Sequence, residues 1–172
     1  MDACFEKLHE EIKSVTSNMT ADQLTFHLEG KWNTVEVLEH LSLTYRATIK
    51  GMEKCLQEDK PLAGERSMRH WVRRTIVVGL GYMPTGRQAP ERARPRGAPM
   101  EEVLKGIGPE LAKMDNAIRR CEARFGGRLA ILNHPIFGPL TAGQWRRFHS
   151  VHGHHHVKQI RTLREAFNKR KS

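Results

Sequence analysis

Residues 141–168 keep a helical period of apolar positions, with Trp145, Ile160, Leu163 and Phe167 on one stripe. Three other positions on that stripe are histidine. At about 100° per residue, His149, His152 and His156 fall within about 60° of one another, where a helix facing a core would carry leucines. Five of the 10 histidines of the 172-residue chain lie in residues 149–156. His154 points about 120° or more away from the stripe, and His155 lies on its flank. One buried imidazole is an ordinary hydrogen-bonded core residue. Several on one apolar stripe have little chance of all finding polar partners, so the pattern favours a shared cation.

Spacing narrows the choice of ligands. His152 and His156, at i and i+4, stack on one helix face and can chelate one ion. His149 could join them, support them or line a pocket. A third ligand must come from another helix, and His40 in KWNTVEVLEHL is the candidate, against the alternative of a solvent-facing histidine beside Glu36 and Glu39. His9, His27 and His70 are isolated, as surface or boundary residues are. His134 precedes Pro135 in a connection, where it could cap a turn or line the mouth of a site. Gln159, near His156, could hold one of the ligands by a hydrogen bond.

The rest of the chain reads as helical. Phe5, Leu8, Ile12 and Val15 mark a first helix, and Thr20 with Gln23 fits a capping box for a short turn. From Asn33 or Thr34 a second long helix runs to about Gln57. Residues 66–80 could form a shorter helix. MPTGRQAPERARPRGAP follows, with four prolines and two glycines, and predicts a mobile arm over 84–98 that buries little and makes few hydrogen bonds. Pro99 suits the first residue of a helix reaching about Phe125, with a kink or break expected at Gly106 and Pro109 and a stop at Gly126-Gly127. NHPIFGPL reads as a turn-rich connection with a small apolar plug, and Thr141 with Gln144 as a capping box opening the last helix. Without convincing strand alternation, the economical architecture is a single all-α domain over residues 1–172: an antiparallel four-helix bundle with a basic helical and loop insert at about 61–98.

Composition limits the remaining classes. Hydrophobic residues make up 38% and charged residues 28%, a globular balance. The net charge of +10 is uneven: residues 1–60 carry −4, residues 64–97 carry +6 and residues 98–172 carry +8. A basic surface could meet nucleic acid, an anionic membrane or an acidic small molecule. No nucleic-acid motif accompanies the charge and aromatics are few, so specific nucleic-acid binding is not expected. No apolar run is long enough to span a membrane, and MDACFEKLHEEIK lacks the basic and apolar regions of a signal peptide, so the default expectation is cytoplasmic. Cys4, Cys55 and Cys121 form no CxxC pair, which argues against a disulfide scaffold or a thiolate site. Cys55 and Cys121 read as small buried hydrophobes.

KWNTVEVLEHL, NHPIFGPLTAGQW and HSVHGHHHVKQI together resemble the DinB-like superfamily, in particular the subgroup with an HPxFGxLT stretch before its final helix. The resemblance runs from about residue 5 to 165. It implies a DinB-like four-helix bundle holding one divalent metal, zinc or nickel, on His40, His152 and His156. It also implies an uncharacterised or thiol-dependent activity: relatives are S-transferases using bacillithiol, mycothiol or similar thiols, or a mycothiol-dependent maleylpyruvate isomerase. The expected partners are a small-molecule thiol and an electrophilic substrate, and a homodimer is left open. A related hydrolase would activate water at the same metal, with His149, Gln159 and His134 as pocket residues. The alternative from another class is a non-catalytic, stress-associated metal-binding bundle whose basic surface meets a partner.

Overall fold

Asp2 caps the first helix by accepting from the Cys4 amide, and α1 (Ala3–Thr16) buries Phe5, Leu8, Ile12 and Val15, the four positions its periodicity selects. A computed structural model describes residues 1–64 and 89–171, with nothing of the Lys171 side chain. The reciprocal Thr20/Gln23 capping box opens the short α2 (Ala21–Thr25). A second such box, Asn33 with Glu36, opens α3 (Thr34–Gln57). The proposed helix over 66–80 and the first part of the arm, 84–88, lie outside the described residues.

The arm from residue 89 departs from its expectation. A short 3-10 turn (Glu91–Ala93) and the strap that follows lie against α3, with the amides of Arg96, Gly97 and Ala98 bonded to Glu39. Glu39 and His40 are each only 5% exposed, so His40 is not the solvent-facing histidine that the sequence allowed. The strap buries little apolar surface, but the carboxylate satisfies three of its backbone donors.

α4 (Met100–Phe125) starts after Pro99 and passes through Pro109 as one helix rather than breaking there. Proline removes one backbone bond, but packing on both sides of it holds the turn. Ile107 and Leu111 are buried, and Gly108 lies so close to α1 that a Cβ there would meet Nε2 of His9 at 2.5 Å. Gly126 ends the helix at φ 82°, a conformation glycine adopts without strain.

The connection before the last helix is a hairpin, not a plain turn. β1 (Ala130–His134) pairs antiparallel with β2 (Gly138–Thr141), setting Leu132 against Leu140 and His134 against Gly138. Strands this short, one of them holding Pro139, show too little alternation to be read from the sequence. His134 builds the turn: its Nδ1 accepts from the amides of Ile136, at 3.1 Å, and Phe137, at 3.4 Å. Ile131, Phe137 and Leu140 form the apolar plug and join the core.

The Thr141/Gln144 box opens α5 (Ala142–Lys171). The protein is thus mostly helical with one small hairpin. α3 packs on α4 and α5, α1 packs on α4 and α5, and one core runs between them. Gly153 lets α5 approach α1, since a Cβ there would meet Leu8 Cδ2 at 2.4 Å. That contact accounts for a glycine among the histidines. Cys55 and Cys121 are free and buried in this core. Among the described residues, no helix is long and apolar enough to cross a membrane.

Candidate metal centre

Where α3 faces α5, three imidazoles meet. Nε2 of His152 lies 3.1 Å from Nε2 of His40 and 3.0 Å from Nε2 of His156. All three side chains are buried, at 5%, 8% and 6% exposure for His40, His152 and His156. They are the set among the described residues whose ligand atoms cluster as a metal ion requires, all within 4.8 Å of one another.

The outer nitrogens determine what the inner ones can offer. Nδ1 of His40 lies 2.6 Å from the carbonyl oxygen of Ala93, which only accepts, so Nδ1 carries the proton and Nε2 is bare. Nδ1 of His156 donates to Oε1 of Gln159 at 2.8 Å, and its Nε2 is bare for the same reason. The Gln159 amide in turn donates to Nε2 of His155 at 3.0 Å. Nδ1 of His152 is buried with no partner. Two lone pairs therefore converge on His152, which has at most one proton to place between them. A cation at the centre satisfies all three nitrogens at once.

The electrostatics agree with that donor set. Burial, then repulsion from His156 and His40, holds His152 well below the usual histidine range. Burial and the neighbouring His40 push His156 down to about 3, against the opposing Gln159 bond. Burial also lowers His40, although its bond to Ala93 acts the other way. Neutral imidazoles with free lone pairs are the form a metal needs. A tetrahedral ion with nitrogen ligands at 2.0–2.1 Å sets them roughly 3.3 Å apart, close to the two spacings here. The residues present fit a divalent cation.

Each of the remaining sequence candidates has a different place. His149 is fully buried, bonds Thr48 Oγ1 through Nε2 at 2.9 Å, and stands outside the triad. His134 stacks on Phe137 and edges Phe148, at centroid distances of 4.5 and 4.4 Å, as part of the turn. Burial pushes its pKa down to about 3. His154 turns away from the triad, as the helical wheel requires, to Ser150 O and Glu11. Arg146, at the start of the same helix, is engaged by Asp2 and Glu122.

Sequence reasoning missed Phe148, stacked on His152 at a 14° interplanar angle, although it sits four residues before that ligand on the same face. It also missed Trp32, whose ring centroid lies 5.1 Å from that of His40, and the Ala93 carbonyl. Nothing local marks the last of these.

Comparison with known proteins gives a family without an assigned activity. The sequence model of DUF1569, described as a protein of unknown function, matches residues 1–163. No curated protein and no solved structure matches the chain. The match covers the hairpin, α3 and the part of α5 that carries the histidines, and the chain belongs to the DUF1569 family.

Proposed function

We propose that the chain is a metal-dependent enzyme of the DinB-like kind, a four-helix bundle using a three-histidine divalent site for thiol S-transfer or a related hydrolysis. The convergence of three buried Nε2 atoms, two of them fixed bare by their outer hydrogen bonds, supports this most directly. Zinc and nickel both suit three imidazole ligands. Bound there, such a cation would keep its full charge and an open position, at which a thiol loses its proton or a water is acidified.

The chain's own residues hold and shield the site. Ala93 and Gln159 orient His40 and His156, and Phe148 and Trp32 cover His152 and His40 with apolar rings. The substrates of this reading are a small-molecule thiol and an electrophile, with no nucleic acid and no membrane involved.

A second reading, a non-catalytic metal-binding bundle with a partner on its basic surface, is favoured by one observation. Each of the three histidines is less than a tenth exposed, as in a closed structural site.

One experiment separates these. Untagged protein is loaded with cobalt or nickel and titrated with low-molecular-weight thiols. The transferase reading expects a thiolate charge-transfer band that is absent in His152→Ala, and proton release as a thiol of pKa about 8.5 ionises on binding. An anionic thiol should outcompete a neutral one, with added salt narrowing the gap. If no thiol perturbs the spectrum at millimolar concentration, the transferase reading fails and hydrolysis or a binding role replaces it.

A further inference from the structure

Glu39 sits immediately before His40 in α3 and is 5% exposed. Its carboxylate accepts from three consecutive backbone amides. Oε1 takes Arg96 N at 2.8 Å, and Oε2 takes Gly97 N at 3.1 Å and Ala98 N at 3.2 Å. Three successive amides can converge on one carboxylate because Gly97 adopts φ 82°.

The same strap touches the metal centre three residues earlier, where the Ala93 carbonyl accepts from Nδ1 of His40. Only Arg94 and Pro95 separate that carbonyl from the clamped amides. Arg94 is extended, at φ −76° and ψ 141°, as the residue before a proline is constrained to be, and Pro95 fixes its own φ. The link is short and stiff. Anchoring residues 96–98 therefore also sets where the Ala93 oxygen lies.

We infer that Glu39 is a positioning residue for the histidine cluster: by clamping strap residues 96–98 it holds the Ala93 carbonyl on His40 and keeps His40 Nε2 bare. Neutral imidazole otherwise exchanges between two tautomers, and only the Nδ1–H form can ligate through Nε2. A glutamine at this position would keep the size of the side chain but set its own amide hydrogens against backbone donors. The inference rests on the cation reading above for its consequence in metal affinity, and on geometry alone for its consequence in tautomer.

The test uses the full-length chain with cobalt as the probe, and nitrogen-15 NMR of the imidazoles without metal. Native protein should show His40 as the Nδ1–H tautomer. Glu39→Gln should give a tautomer mixture at His40, leave His156 unchanged, and weaken cobalt ten- to hundredfold, the usual loss when a ligand's outer partner is removed. Gly97→Ala is the second variant, serving if Glu39→Gln does not fold. A Cβ at Gly97 meets nothing within 4 Å, so it perturbs only the strap backbone, and it should move both readouts in the same direction.

An unchanged His40 tautomer in the folded variant overturns the inference, even if cobalt binds less well, because Glu39 would then act only through general stability. If native protein takes up no cobalt, the cation reading fails, and the tautomer measurement decides the role of Glu39 by itself.

Discussion

The hydroxyl of Thr48 lies 2.9 Å from Nε2 of His149, and this contact separates His149 from His152 and His156, the two histidines that share its face of α5. The nitrogen that would have turned to an ion is committed to a neighbouring helix. His40, His152 and His156 have their inner nitrogens on one another instead.

Metal content should follow that division. His40→Ala, His152→Ala and His156→Ala should each lose stoichiometric metal, measured by elemental analysis of untagged protein. His154→Ala and His149→Leu should keep it. In His149→Leu the Thr48 hydroxyl still has Thr44 O at 3.1 Å, so the substitution strands no donor. Loss of metal in His149→Leu with retention in His40→Ala would reverse the assignment.

Acid should destabilise the metal-free protein through its buried histidines. Burial, with a smaller contribution from His134, pushes His149 down to about 3, below the ordinary 6.5. The unfolded chain therefore binds the extra proton between those values. The His149 contribution is complete above about pH 6.5 and is lost as pH falls toward 3, by about 1 kcal/mol at pH 5.5 and ~1.4 kcal/mol per further unit. Urea melts of metal-free His149→Leu between pH 6.5 and 4 should show a shallower acid limb by about one proton. Parallel curves would contradict this.

Two glycines of α5 should respond in opposite directions. A Cβ at Gly143 meets nothing within 4 Å, so Gly143→Ala should stabilise by up to about 1 kcal/mol through helix propensity. Gly153→Val should destabilise by about 1–3 kcal/mol, because Leu8, which it meets at 2.4 Å, is fully buried and has no room to retreat. Thermal melts of the single variants and of Gly153→Val with Leu8→Ala should show positive coupling, the double variant losing less than the two separate losses together.

Trypsin should spare the Arg96–Gly97 bond under native conditions, although Arg96 is exposed and flanked by Pro95 and Gly97. Cleavage there requires the Gly97 amide to leave Glu39. Early cutting at Arg96 in native protein would show that the strap is not held on α3.

Local residues determined much of this protein. The Thr20/Gln23 and Thr141/Gln144 boxes, the bounds of α3 and the outward turn of His154 all depend on side chains within a turn or two of one another. So does the i, i+4 pair of His152 and His156. The hairpin did not show, because five- and four-residue strands carry too few alternations to register against a helical background. Pro109 inside α4 predicts a kink or a break from the sequence because local chemistry gives no account of the packing that holds the helix together. Only tertiary structure decided that His40 meets His152 across 112 residues, that Ala93 reaches His40 across 53, and that the strap closes on Glu39. These are contacts between elements that come together only in the folded chain. A periodicity set by neighbours three and four residues away can state which face a histidine occupies, but not what stands opposite it.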